Sequence, residues 1–172
     1  MELYTRDLDH SEVTPLLDQL SRDYARLTGK GGMRGILVVD QDAKVIARNS
    51  MFQLKKPWDM GGIAAALHGV AKQASAYFNC ASLERVAINF GDMQFFVHAI
   101  GSVEVEEGNG RRELLLVILA DENVKMGLVL IQMRKIGPEI IQAIKESRKT
   151  IDLLNLDERS VKKYLLALKQ HT

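Results

Sequence analysis

The spacing of hydrophobic positions predicts that helices and strands alternate in the first half of the chain. Residues 11–27 carry apolar side chains three and four positions apart with charged residues between them, which is typical of an amphipathic helix, and Gly29 is expected to end it. Two β-branched runs, residues 35–39 and 44–47, flank a short polar turn and predict a β-hairpin. An alanine-rich stretch without proline, residues 59–79, predicts a second helix.

The second half of the chain continues with strands. Two strands, residues 83–90 and 93–100, flank a glycine-aspartate turn. A third strand, residues 113–120, follows a charged loop. Because short turns join them, neighbouring strands are expected to be antiparallel. Helical spacing then extends to about residue 150, and Gly137-Pro138 is expected to break or kink that helix.

A last amphipathic helix is predicted over about residues 156–169. Its opposite side is basic, and its apolar stripe consists of Val161, Tyr164, Leu165 and Leu168. Two interpretations of this helix stay open. It either folds back on the core or reaches for an acidic partner.

Two predicted strands decide the fold class. The runs GILVV and LLLVILA are apolar at every position, so they are expected in the middle of a sheet that helices cover on both faces. The sequence therefore predicts an α/β (α+β) fold, a five-stranded antiparallel meander sandwiched by helices. We expect a single domain over residues 1–172, with a core at about 12–150 and a C-terminal helical extension at about 156–169.

Composition and charge narrow the class of protein. The net charge of +1 comes from 23 basic and 22 acidic residues without a long block of either sign, which argues against a nucleic-acid partner. The first twenty residues do not resemble a signal peptide, and the longest apolar runs are shorter than the roughly 18–20 residues of a membrane helix. Cys80 is the single cysteine, so it cannot form an internal disulfide, and it is expected to be a small buried residue. We therefore expect a soluble protein in the reducing cytoplasm.

Residues that commonly carry catalysis or bind metals are scattered along the chain. The four histidines lie in four different predicted elements, without an acidic, cysteine or serine partner at a motif spacing. The glycine-lysine cluster at residues 28–32 lacks the second half of a phosphate-binding loop. We therefore predict no catalytic residues, no metal site and no cofactor.

The second predicted helix has two different faces. Larger apolar residues are expected to cover the sheet: Ile63, Leu67, Val70 and Tyr77. Small residues lie on the other face: Gly62, Ala65, Gly69, Gln73 and Ala76. Each helical glycine costs roughly 1 kcal/mol relative to alanine, which a closely approaching partner helix would explain. Tight packing on the chain's own sheet is the alternative.

The strand at residues 83–90 is expected to form the sheet edge beside this helix. An uncovered edge leaves a row of unpaired backbone groups, and pairing with a second copy around a two-fold axis would satisfy them. The predicted dimer interface therefore also includes Val86 and Ile88.

These patterns resemble the roadblock/LC7 family over about residues 12–150. RGILVVDQDAKVIARN is similar to the family's first hairpin, and GGIAAALHGVAKQA to its alanine-rich second helix. INFGDMQFFVHAIG and ELLLVILADENVKMGLVLI resemble its later hairpin and its apolar strand with the helix start that follows. The resemblance implies a roadblock/LC7 (profilin-like) fold and a dimer through paired second helices and edge strands, either with itself or with another roadblock protein.

Within the family, the extra C-terminal helix resembles the MglB-like regulators of Ras-like small GTPases. The resemblance implies a non-catalytic dimeric regulator that binds such a GTPase through Val161, Tyr164, Leu165 and Leu168 and modulates its hydrolysis or localisation. The loop at residues 104–111 and Gly137-Pro138 depart from that group and leave the partner's identity open. Two alternatives remain, a passive scaffold or adaptor of the roadblock light-chain type and a small-molecule sensory domain.

Overall fold

A computed structural model of the chain describes residues 11–53, 56–105 and 110–155, together with Lys163 and Leu166. Up to residue 146, helices and strands follow in the order that the hydrophobic spacing predicts. Their bounds are α1 (Thr14–Thr28), β1 (Met33–Asp40), β2 (Val45–Arg48), α2 (Pro57–Tyr77), β3 (Arg85–Asn89), β4 (Met93–Glu104), β5 (Arg111–Asp121), α3 (Met126–Glu146) and α4 (Arg148–Leu154).

The strands form one antiparallel sheet in the order β2-β1-β5-β4-β3. The prediction of an antiparallel sheet is confirmed, but the predicted meander is wrong, because β1 lies between β2 and β5 instead of at an edge. The connection through α2 carries the chain from β2 at one edge to β3 at the other. Hydrophobic spacing does not encode such a crossing, since it says which strands are inner ones but not which of them are neighbours.

β1 and β5 are inner strands buried on both faces, as predicted. Leu114, Leu116 and Ile118 of β5 pack into the core cluster that α1 and α3 cover. Leu115 and Val117 point to the opposite face and join the cluster beneath α2. Two helices therefore cover one face of the sheet, and α2 covers the other.

A glycine ends α1, and a tyrosine connects the helix to the segment before α3. Gly29 has a φ of 68°, and its N–H donates to the carbonyl of Ala25, so this glycine closes the helix as predicted. The hydroxyl of Tyr24 accepts a hydrogen bond of 2.8 Å from the backbone N–H of Lys125. This bond ties α1 to the segment that begins α3.

α3 runs without a break from Met126 to Glu146, although Pro138 lies inside it. The predicted break at Gly137-Pro138 is wrong. Proline removes one backbone donor, which leaves the carbonyl of Arg134 without its helical partner. Arg134 and Pro138 are both exposed, so water can satisfy this carbonyl. Gly137 is buried on the other side of the helix, where an added Cβ would lie 3.4 Å from the side chain of Ile100.

The helical stretch expected to reach residue 150 ends earlier, at Glu146, and a short helix that the sequence did not predict, α4, follows it. The hydroxyl of Ser147 caps α4 by accepting from the N–H of Thr150. Of the predicted extension at residues 156–169, Lys163 and Leu166 are described, and both are helical and exposed. Within the described residues, no helix is long and apolar enough to cross a membrane.

Candidate interaction surface

α2 packs on the sheet through its small residues. Gly61 and Ala64 are buried, and a Cβ added at Gly61 would lie 3.1 Å from methyl carbons of both Val39 and Val45. Only a residue without a side chain lets the helix approach the sheet this closely. Gly61 and Ala64 therefore face the sheet.

Three of the four residues expected to cover the sheet do not cover it. Ile63, Val70 and Tyr77 are 56%, 66% and 83% exposed, whereas Leu67 is half-buried against the sheet. α2 has apolar residues on every side, so hydrophobic spacing alone does not identify its buried face. Because the three exposed residues are seven positions apart, they lie along one flank of the helix. We call Ile63, Val70 and Tyr77 the apolar row.

The predicted small-residue face also lies on the outside of α2. A Cβ added at Gly62 or Gly69 would meet no described atom within 4 Å. Packing against the described part of the chain therefore does not explain these glycines. The other members are half-buried or exposed: Ala65, Gln73 and Ala76.

β3 is an edge strand, as predicted, and among the described residues it pairs with β4 alone. Phe90 donates its N–H to β4 and the carbonyl of Glu84 accepts from β4. Residues of an antiparallel pair alternate between bonding inward and pointing away. The backbone groups of Arg85, Ala87 and Asn89 therefore point outward along the free edge.

The side chains of β3 distinguish its two faces. Val86 and Ile88 are half-buried against the core cluster beneath α2. Arg85, Ala87 and Asn89 are exposed on the opposite face. The edge therefore presents apolar side chains on the same side of the sheet as the apolar row.

An open apolar cavity of about 420 Å³ lies between the first turns of α2 and the ends of three strands. Its apolar lining consists of Met60, Ile63, Phe90, Phe95 and Leu119. Phe90, which lines this cavity, is 59% exposed. No pattern along the sequence indicates this cavity, because its walls come from four separate elements.

An aromatic pair lies at the other end of α2. The rings of Tyr77 and Phe78 meet edge to face, with centroids 5.3 Å apart at an angle of 84°. Phe78 is 70% exposed. Cys80, which was expected to be buried, is exposed nearby. The end of α2 therefore presents two large aromatic side chains to solvent.

A polar cluster fastens the middle of α2 to the sheet. Glu113 of β5 lies 2.9 Å from Nζ of Lys72 and 3.2 Å from Nε2 of the buried His68. Burial by itself would raise the pKa of Glu113, but the hydrogen bond from Lys72 and the close approach of the His68 ring outweigh it and lower that pKa. Glu113, His68 and Lys72 therefore contact one another, and these contacts hold α2 against β5. No group of three metal-ligating side chains occurs among the described residues.

A buried ion pair holds the end of α4 against the first hairpin. The side chains of Asp40 and Lys44 are 0% and 1% exposed, and Lys44 Nζ lies 3.5 Å from Asp40 Oδ2. The same ammonium donates a hydrogen bond of 3.0 Å to the carbonyl of Leu154. Burial raises the pKa of Asp40 and lowers that of Lys44. This contact holds Leu154, the last residue of α4, against the first hairpin.

The predicted GTPase contacts lie outside the described residues: Val161, Tyr164, Leu165 and Leu168. On the face opposite α2, a groove of about 360 Å³ runs between α1 and α3. Exposed Leu27 and Ile131 line it beside side chains of both charges.

One sheet with α1 and α3 on one face and α2 on the other defines the class of fold. The chain is similar to Myxococcus xanthus MglB, with 12% identity over 79% of this chain and 97% of that one and a TM-score of 0.60. It is also similar to a roadblock/LC7 domain from Streptomyces avermitilis, with 14% identity over 78% and 99% and a TM-score of 0.63.

The gliding protein MglB of Thermus thermophilus is 16% identical over 80% of this chain and 94% of that one, with a TM-score of 0.59. No protein-family model matches the sequence, and no curated protein matches it. The chain has the roadblock/LC7 fold, and the resemblance found in the sequence is confirmed at the level of the fold.

Proposed function

We propose that this chain is a dimeric regulator without a catalytic site of its own, which binds a Ras-like small GTPase in the cytoplasm and modulates its GTP hydrolysis or localisation. The observation that carries the proposal is the open edge of β3 beside the exposed apolar flank of α2, on a roadblock/LC7 fold. The dimer is a homodimer or a heterodimer with another roadblock protein.

The edge strand supports a dimer. An uncovered strand of alternating apolar and polar residues is a template for pairing with another chain. Antiparallel pairing of β3 with β3 of a second copy would satisfy the outward backbone groups of Arg85, Ala87 and Asn89 and join the two sheets into one. The same pairing would bring Val86 and Ile88 of both copies together.

The glycines of α2 support the same surface. Gly62 and Gly69 have open space where a side chain would be, so a neighbouring backbone can approach them. We include the whole small-residue face in the proposed interface: Gly62, Ala65, Gly69, Gln73 and Ala76. The apolar row lies beside that face and would also be covered when two copies meet.

The state of the polar groups favours a regulator over an enzyme. Glu113 is held by Lys72 and His68, and Asp40 is held by Lys44. A general acid or base needs access to substrate, whereas these groups are committed to contacts within the fold. A regulator of this kind would act by ordering the switch loops of the GTPase, because it supplies no reacting group.

The GTPase partner rests on the resemblance to MglB-like regulators. The proposed contacts are Val161, Tyr164, Leu165 and Leu168, whose sequence spacing predicts one apolar stripe. The ion pair of Asp40 and Lys44 supports a defined role for this extension, since it fixes the residues immediately before it.

The test measures GTP hydrolysis by a Ras-like GTPase of the same genome, with and without this protein, together with co-elution in the GTP and GDP states. We expect faster hydrolysis and GTP-dependent co-elution. The Tyr164→Ala/Leu165→Ala variant is expected to lose both, while Leu166→Ala, a control at an exposed neighbouring position, retains them.

The remaining outcomes separate the alternatives. Co-elution in both nucleotide states with unchanged hydrolysis would assign the chain as a passive scaffold or adaptor. Absence of association with any Ras-like GTPase would overturn the proposal and favour a sensory domain, for which a ligand that raises the melting temperature would be the evidence.

A further inference from the structure

The cavity and the aromatic pair lie at opposite ends of α2. Met60 lines the cavity and Tyr77 belongs to the aromatic pair, so about 25 Å of helix separates them at 1.5 Å per residue. The aromatic pair therefore cannot fill the cavity of its own chain. Aromatic side chains and an apolar cavity on one molecule are complementary only between two molecules.

The apolar row specifies how two copies of α2 would pack. Val70 lies midway between Ile63 and Tyr77, and all three are exposed on one flank. In an antiparallel pair around a two-fold axis, Val70 meets Val70 of the second copy and Ile63 meets Tyr77 of the second copy. A seven-residue spacing is the repeat by which apolar residues stay on the seam between two packed helices.

The edge strand agrees with the same axis. Phe90, just beyond the end of β3, lines the cavity with Ile63, whereas Arg85 begins β3 after the chain has turned back from the end of α2. β3 and α2 therefore run in opposite directions. A two-fold axis that relates two copies of β3 as an antiparallel pair would therefore also make the two copies of α2 antiparallel. Pairing with Ala87 opposite Ala87 of the second copy joins all three outward positions of β3 in hydrogen-bonded pairs.

This register also gives favourable side-chain neighbours. On the face of the sheet that α2 covers, Val86 of each copy lies opposite Ile88 of the other, and the two form an apolar pair. On the other face Arg85 lies opposite Asn89, so no like charges are opposed.

We propose that Tyr77 and Phe78 of each copy occupy the cavity lined by Met60, Ile63, Phe90, Phe95 and Leu119 of the other copy. The inference rests on the proposed dimer and names the contact that selects the second copy as partner. The two-fold axis forms this contact twice, so a homodimer contains two copies of the contact between aromatic pair and cavity. A roadblock protein that lacks either the aromatic pair or the cavity would lose one or both of them.

The test is the dissociation constant of the full-length dimer, measured by sedimentation equilibrium. The Tyr77→Ala/Phe78→Ala variant is expected to raise it at least tenfold. Both residues are mostly exposed within one chain, so the circular dichroism spectrum should be unchanged. The matched control is Leu27→Ala/Ile131→Ala, which removes two equally exposed apolar residues from the opposite face of the sheet and is expected to leave the constant unchanged.

A second measurement tests the register directly. In a Cys80→Ser background, the Ile63→Cys/Tyr77→Cys variant should form a disulfide-linked dimer on mild oxidation, and Val70→Cys should do the same across the axis. Leu27→Cys, at an exposed position on the opposite face of the sheet, should cross-link far less. A stable wild-type dimer with unchanged affinity in Tyr77→Ala/Phe78→Ala and without the cross-link between positions 63 and 77 would overturn this inference and leave the proposed dimer intact. A wild-type chain that remains monomeric at all concentrations would remove the dimer and this contact together.

Discussion

Replacing Lys44 by methionine tests whether the buried ion pair holds α4 and the first hairpin together. The variant keeps the length and apolar stem of the side chain but leaves the carboxylate of Asp40 buried without its cation. Removing one partner of a buried pair costs about 3–5 kcal/mol in free energy of unfolding. For a chain of this size, that loss lowers the melting temperature by about 6–20 °C.

The pH dependence of the variant gives a second check. Burial raises the pKa of Asp40 above its unfolded value, and removing the charge of Lys44 leaves that effect less opposed. A group with a raised folded pKa stabilises the protein below its unfolded pKa and loses that contribution as pH rises through the folded pKa. The stability difference between Lys44→Met and the wild type should therefore be smaller at about pH 5.5 than at about pH 8.

Urea unfolding followed by circular dichroism measures both effects. The Asp40→Asn/Lys44→Met variant should regain more than half of the loss, because asparagine is neutral and keeps an oxygen for the backbone N–H groups of Asp42 and Lys44. Lys135→Met, at an exposed site, should stay within about 0.5 kcal/mol of the wild type. A loss below about 1 kcal/mol for Lys44→Met near neutral pH would refute the reasoning.

Two further predictions concern the site and the sheet. Glu113→Gln should reduce the loss of stability in acid, measured by thermal unfolding from about pH 3 to 7. A carboxyl whose pKa is lowered by folding contributes stability above its unfolded pKa and loses that contribution as the pH falls. If the melting temperature of the variant falls with pH just as that of the wild type does, the contact with Lys72 adds nothing to stability. Gly101→Ala should cost about 1–3 kcal/mol, because φ is +142° there and the new Cβ would lie 3.3 Å from Ile141. Gly127→Ala is the control and should be neutral or stabilising, because Gly127 lies in α3 with open space around an added Cβ. Equal effects at both glycines would show that the backbone angle and the contact with Ile141 do not constrain Gly101.

Much of the interaction surface escaped the sequence analysis for a physical reason. α2 carries alanine, glycine and larger apolar residues on all sides, so its pattern does not indicate which face packs inward. Contact of Gly61 with Val39 and Val45 settles that choice, and these residues are distant in the chain. The seven-residue spacing of Ile63, Val70 and Tyr77 was the available signal, and it was interpreted as the buried face.

Pro138 illustrates the limit of a strong local rule. Proline in a helix costs a hydrogen bond, and the sequence therefore predicted an interruption. The surrounding helix continues because its apolar side, which includes Ile136, Ile140 and Ile144, is buried against the sheet. Burial of several isoleucines outweighs the loss of one hydrogen bond at a solvent-exposed turn.

The sequence by itself determined the order of the elements up to residue 146, two of the three inner strands, β1 and β5, and the end of α1 at Gly29. These features depend on local periodicity and on backbone preference. It also identified β3 as an edge strand. The tertiary structure decided the place of β1 beside β5, the rotation of α2 about its axis and the cavity beneath Ile63. Each of these depends on contacts between residues far apart in the chain, and a pattern along one segment contains no information about the surface that it meets.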